Sequence, residues 1–390
     1  MHRTRWEGSA MIGTAHERDL ELRDKNNVPG PNDSRLIMGF GLPNRLQTGA
    51  TWLLIFVELV LFQTSVHATR LVTYYFRGDT RLGAWVEDGI IDLNRAYREM
   101  LRERGVARAE DLALALVPPQ MLAFLGGEEG SMNAAREAID WAKARRPQSA
   151  SAKNLDRLKE AGIWFEHSED RLGPPVPNPP HLLAVGFNYR SHSEEIKVDL
   201  PKHPNIFTKD CKVIGTGQAI EIPEAVTQPD YEGELAFVIG KRARSVAREH
   251  AYDYVAGYMV FNDMTSRDFQ FRVSQYTLGK SIDTFSVMGP FLVLKDEIPN
   301  PHSLRLTTRI GAEVVQDSNT SNMIFTVADL IAYISQVMTL EPGTVVTAGT
   351  PGGVGFGRKP PRFLKPGDTI TVQIEGLGSL ENKVAQKSTD

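Results

Sequence analysis

Five of the eight residues from Gly173 to Pro180 are proline, and this stiff, extended stretch divides the chain more firmly than any other feature. A chain of 390 residues suits two to three domains. Position narrows this to two ordered domains, 69–172 and 181–386, joined by a 173–180 linker and preceded by an extension, 1–68. Hydrophobic residues make up 41% and charged residues 24%, which excludes a wholly disordered chain. With 44 Lys and Arg against 48 Asp and Glu, nothing suggests the basic face of a nucleic-acid binder, and no nucleic-acid partner is expected. The one cysteine, Cys211, excludes an intrachain disulfide framework and a CxxC metal cluster. Any metal should sit on oxygen or histidine ligands.

The first 68 residues read as an accessory extension or the product of an upstream start codon. Residues 26–33 form a loop-like stretch rich in Asn, Pro and Gly. The apolar run Trp52–Phe62 is about half the roughly 20 residues that a spanning helix needs, and Glu58 interrupts it. A membrane anchor is therefore not expected. A signal peptide would end at Val66 and Ala68, but only Arg45 could serve as its positive region. The expected location is the cytoplasm.

Beyond the extension, Tyr74–Phe76 and Trp85–Val86 read as strands around an Arg77-Gly78-Asp79 turn, with Asp88-Gly89 as a second hairpin signal. Ala134 to Arg145 has the period of an amphipathic helix. After the prolines, strands dominate. Leu235–Ile239 and Phe291–Leu294 are apolar enough to be buried on both faces, and Val345–Thr347 is a further short strand. Ile370, Val372 and Ile374 alternate with polar residues. A helix from Val327 to Met338 begins with a capping box, Thr326 with Asp329, and stops at Pro342-Gly343. Strands with few helices and no regular βαβ alternation argue for a β-rich α+β fold.

Four groups of residues carry chemistry. Glu232 and Glu234 share one face of a strand, which suits a hard metal or, alternatively, a solvated strand edge. Asp263, just after the apolar run Val255–Val260, adds a third carboxylate, and three with no cysteine fit Mg2+ or Mn2+. His192 and Glu195, three apart, suit a base oriented by a carboxylate, or else a surface histidine beside solvated acids. The loop Gly349–Gly355 can hold a carboxylate on backbone amides or simply turn tightly, and Lys280 is either a charge beside an anion or a surface lysine.

The order of these motifs resembles the fumarylacetoacetate hydrolase family. Residues 186–195 (Gly-Phe-Asn-Tyr-Arg-Ser-His-Ser-Glu-Glu), 230–235 (Asp-Tyr-Glu-Gly-Glu-Leu), 261–268 (Phe-Asn-Asp-Met-Thr-Ser-Arg-Asp), 279–283 (Gly-Lys-Ser-Ile-Asp) and 349–355 (Gly-Thr-Pro-Gly-Gly-Val-Gly) carry the resemblance, which covers about 181–386. It implies a catalytic domain of mixed β-sandwich-roll form behind a small N-terminal α+β domain, in a homodimer. By position it makes Glu232, Glu234 and Asp263 the ligands of Mg2+ or Mn2+. It makes His192 and Glu195 the dyad that activates water or moves a proton, and Lys280 a group acting on the substrate's oxygens. It sets Asn188, Tyr189, Arg267, Gln270, Gly349, Thr350 and Pro351 against the substrate, and gives 189–200 as a lid.

Gly186-Phe187-Asn188-Tyr189 lacks the extra aspartate of fumarylacetoacetases proper, which favours the branch of acylpyruvate hydrolases and of isomerases and decarboxylases of aromatic-acid catabolism. The leading expectation is cleavage of a C–C bond in an acylpyruvate-type 2-oxo acid by activated water. The alternative is isomerisation or decarboxylation of a 2-hydroxyhepta-2,4-diene-1,7-dioate-type or related oxo acid, and a non-catalytic ligand-binding member is the third.

Overall fold

The computed structural model describes residues 69–87, 89–146, 152–168 and 171–388. The extension 1–68, with its apolar run and signal-peptide alternative, lies outside the described residues, as does Asp88. The Arg77-Gly78 turn is a two-residue hairpin loop in which both residues take positive φ, 52° and 88°. That geometry matches the twist of paired strands, so Arg70–Phe76 and Asp79–Val86 close on each other with Phe76 opposite Asp79. The expected 134–145 helix runs from Glu128 to Ala144, because the polar turn Glu128–Ser131 extends it without adding to its apolar stripe. Ala134, Ala135, Ala138, Ile139 and Ala142 are its buried face.

One large sheet dominates. Its path runs Trp164–Phe165, Gly89–Asp92, Asp79–Val86, Arg70–Phe76, Ser286–Leu294, Val255–Asp263, Gly233–Ile239, Val345–Thr347, Leu182–Gly186 and Asn205–Thr208, with Val213–Ile214 beside Ser286–Leu294. N-terminal and C-terminal parts thus share hydrogen-bonded strands, Arg70 pairing with Val293 and Leu71 with Leu292. Residues 173–176 of the proline-rich stretch are buried, and the Thr73 hydroxyl donates to Pro175 O at 2.9 Å.

Every residue of Gly233–Ile239, Val255–Asp263 and Ser286–Leu294 is buried, because both faces of this sheet are covered. Leu235, Phe237 and Ile239 join a cluster with Ile370, Val372 and Ile374 of a second, five-stranded sheet. Ala236 and Val238 join another cluster that continues into the N-terminal helices through Ala138 and Ile139. Phe237 has no exposed surface. Phe237→Ala should therefore cost about 3–5 kcal/mol of stability, measured by denaturant unfolding. A loss below about 1 kcal/mol would contradict this packing.

The helix begins at Val327 with the expected reciprocal capping box but ends at Ser335, short of Met338. Ser335 O accepts from Ser245 N at 2.7 Å and Ser335 Oγ from Val246 N at 3.0 Å, so this residue is tied to a neighbouring chain segment. Val337, inside the expected helix, is 81% exposed. Among the described residues, no helix is long and apolar enough to cross a membrane.

Candidate active site

The antiparallel register places the carboxylates. Gly233 pairs with Asn262 and Glu234 with Phe261, and Asp263 N donates to Glu232 O at 2.8 Å. Glu232 and Asp263 therefore stand opposite each other at the strand ends, with Glu234 two residues along on the same face. All three are buried, and each offers an oxygen within 4.8 Å of the others. These are the expected ligand residues, and no solvated strand edge is present.

Three buried cations surround them. Lys280 Nζ lies 2.7 Å from both Glu232 Oε2 and Asp263 Oδ2. Arg267 Nη2 is 2.7 Å from Glu232 Oε1, and its Nε donates to Asp230 Oδ2 at 2.8 Å. Lys209 donates to Asp263 Oδ1 and, at 3.1 Å, to Met264 O. Glu234 has no such cation; its Oε2 accepts from Gly349 N at 2.8 Å.

The two glutamates respond in opposite directions. Burial pushes Glu232 up, but Lys280 and Arg267 outweigh it and hold the carboxyl well below the usual range. Burial, then the Asp263 and Glu232 charges, push Glu234 well above it. Formally, Asp230, Glu232, Glu234 and Asp263 carry four negative charges, while Lys209, Arg267 and Lys280 carry three positive ones. A buried excess of negative charge on hard oxygen donors fits a divalent ion of the Mg2+ or Mn2+ type, which takes few carboxylates and leaves coordination positions for substrate and water.

His192 sits in the short helix Arg190–Ile196 with Phe187 stacked 5.9 Å from it. Its Nδ1 is buried without a hydrogen bond and lies 3.6 Å from Glu195 Oε2, outside bonding distance. The Glu195 carboxylate instead accepts from Gly353 N at 3.1 Å.

One pocket gathers His192, Glu232, Arg267, Gln270, Lys280 and Thr350, with Phe187, Phe207, Phe271, Tyr276 and Phe356 on its other walls. Gln270 Oε1 accepts from Arg267 Nη1 at 3.0 Å. Other expected contacts stand behind this wall. Asn188 spends its amide on Phe325 N and O and on Ala348 O. The Tyr189 ring is fully buried, its hydroxyl without a partner, and burial followed by the Glu234 charge pushes that hydroxyl upward. Gly349 supports Glu234, and Pro351 O accepts from Gln316 at 3.0 Å.

Gly349 needs its missing side chain. Its φ is +87°, and a Cβ would meet Asn188 Cβ at 2.7 Å and Val185 O at 2.9 Å. Gly349→Ala should lower stability by more than about 1 kcal/mol and weaken metal binding through Glu234, read by thermal unfolding and metal titration. An unchanged melting temperature with unchanged metal affinity would contradict this.

Three supporting residues escape a reading of local pattern. Asp230 accepts from Tyr231 N, Gly355 N, Phe356 N and Arg267 Nε, tying the glycine loop to the arginine. Gln316 accepts from Gly233 N and donates to Thr350 Oγ1, whose hydroxyl donates to Gly233 O. Lys209 is the third. Asp230 at least lies inside a recognised motif; Lys209 and Gln316 have no local signal.

The family model described as fumarylacetoacetate (FAA) hydrolase C-terminal matches residues 181–385. Oxaloacetate tautomerase YisK of Bacillus subtilis (strain 168) is 38% identical over 303 residues, 76% of this chain and 93% of that protein. The fumarylacetoacetate hydrolase from psychrophilic Exiguobacterium antarcticum is 28% identical with a TM-score of 0.61, over 82% of this chain and all of that one. The 5-carboxymethyl-2-hydroxymuconate delta-isomerase from Mycobacterium smegmatis is 35% identical with a TM-score of 0.50, over 56% of this chain and 80% of that one. The chain, with its β-rich α+β fold and buried Glu232–Glu234–Asp263 cluster, belongs to the fumarylacetoacetate hydrolase family.

Proposed function

We propose that the protein moves a proton on a 2-oxo acid, interconverting its enol and keto forms. The observation that carries this reading is the buried Glu232–Glu234–Asp263 cluster, whose Glu232 lines a pocket together with His192, Arg267 and Lys280. A Mg2+ or Mn2+ held by the three carboxylates would supply Lewis acidity to the substrate's carboxylate and 2-oxo oxygens.

The chain's own groups do the rest. Lys280 and Arg267 keep fixed positive charge beside the position where enolate charge develops, in a site sheltered from water. A proton on His192 Nδ1, directed at Glu195, leaves Nε2 free to take the C3 proton of the keto form and deliver it to the 2-oxygen, and in the reverse direction to take the enol O–H proton and deliver it to C3. In the structure Glu195 is bonded to the glycine loop instead, so proton transfer through the dyad calls for a shift of less than about 1 Å to reach hydrogen-bond distance. The relatives named tautomerase and isomerase support proton transfer over attack by water, and the leading alternative is C–C hydrolysis of an acylpyruvate by the same dyad.

Product analysis separates the two. With metal, the protein should speed loss of the enol absorbance of a 2-oxo acid and leave acetylpyruvate intact. Release of pyruvate from acetylpyruvate at a rate comparable to enol loss would overturn the proposal in favour of hydrolysis.

A further inference from the structure

The pocket has two unlike ends. Its inner end is polar and crowded with fixed charge. Its outer walls are aromatic: Phe271 and Phe356 stand with ring centroids 5.0 Å apart, and Phe207 meets Tyr276 edge-on at 5.6 Å. Phe271 is 54% exposed and Phe356 39%, an apolar pair left in water at the rim of a concave site. Asp230 accepts the Phe356 N–H at 2.9 Å while also binding Arg267, so this wall is anchored to the polar end.

We propose that this rim is a subsite for a flat apolar group, so that the preferred substrate is a monoanionic 2-oxo acid with an aromatic or alkyl tail rather than a 2-oxo diacid. The inference rests on the 2-oxo acid reading above and names the substrate class of that same site. Two arguments carry it.

The first is the lack of a free lysine or arginine for a second carboxylate. Among the described residues lining the pocket, the cations are Arg267 and Lys280, and both are bound to Glu232. A distal carboxylate would instead face aromatic rings, whose faces carry negative charge density.

The second is charge balance. Four buried carboxylates, three buried cations and a divalent ion sum to one positive charge, which a monoanion neutralises and a dianion overshoots. Glu195, nearby in the same helix as His192, adds to the overshoot. An aryl tail, by contrast, would pack against the Phe271–Phe356 pair and remove apolar surface from water.

The test compares enol-to-keto conversion of phenylpyruvate and of oxaloacetate by the Mg2+-loaded protein, in wild type and in the Phe271→Ala/Phe356→Ala variant. The expected result is kcat/KM about tenfold or more higher for phenylpyruvate, with the ratio collapsing toward one in the variant. Equal or better use of oxaloacetate, or a ratio that the variant leaves unchanged, overturns the subsite while leaving the proton-transfer reading in place. Turnover of neither acid refutes that reading, and calorimetric titration of the Mg2+-loaded protein with both acids then decides the subsite. Tighter binding of phenylpyruvate, lost in the variant, upholds it; equal or weaker binding overturns it.

Discussion

Glu234→Gln should sharply reduce turnover and metal binding while leaving the metal-free protein as stable as wild type, or more so. Glu234 is the one carboxylate of the cluster without a lysine or arginine against it, and in the metal-free protein it faces Glu232 and Asp263 in a buried site. A glutamine keeps the shape and can still accept the Gly349 N–H, but it removes the buried charge that repels its neighbours. Losing one charged ligand withdraws several kcal/mol of charge stabilisation, so a fall in kcat on the order of 100-fold or more is expected. Thermal unfolding without metal and calorimetric Mn2+ titration check the two halves separately. A variant that unfolds well below wild type, or that still binds Mn2+ with wild-type affinity, would contradict this role.

Asp263→Ala should behave differently, although it also removes a candidate ligand. Asp263 pairs with both Lys209 and Lys280, and all three side chains are buried. The substitution leaves Lys209 with only Met264 O and Lys280 with only Glu232. Breaking buried pairs in this way costs about 3–5 kcal/mol, because unpaired charge stays out of water. The expected result is a large drop in unfolding midpoint together with lost activity, measured by denaturant titration on the metal-free protein. A midpoint within experimental error of wild type would show that these ion pairs are not formed as described. The contrast with Glu234→Gln is the informative part: two candidate ligands of one site, one removed without harm to the fold and one not.

How much of this was legible in the sequence depends on the range of each interaction. Glu232 and Glu234 could be set on one face from strand period alone, and the Thr326–Asp329 cap from a three-residue spacing. Asp263 was placed by ending a buried run. The rest turns on partners far along the chain. Lys209 meets Asp263 across 54 residues, and Gln316 meets Gly233 across 83, from the second sheet. Neither carries a local signature.

Distance also explains the residues whose surroundings differ from the expectation. Asn188 lies in a recognised motif beside the site, yet its amide is consumed by Phe325, 137 residues away. A lone lysine at 280 suits either the surface or a substrate contact; in the fold it is buried and paired with two of the three candidate ligands. The helix after Thr326 stops early because Ser335 bonds to Ser245 and Val246, a competition that apolar periodicity does not register. Local pattern thus identified the acids, while the cations and amides that hold them in place came from the tertiary fold.

Metal dependence of enol loss is the most direct measurement of the central claim. Protein stripped with a chelator and freed of it should lose its effect on the enol absorbance of a 2-oxo acid, and adding about one equivalent of Mg2+ or Mn2+ should restore it. Stripped protein that still works at the full rate would contradict the account.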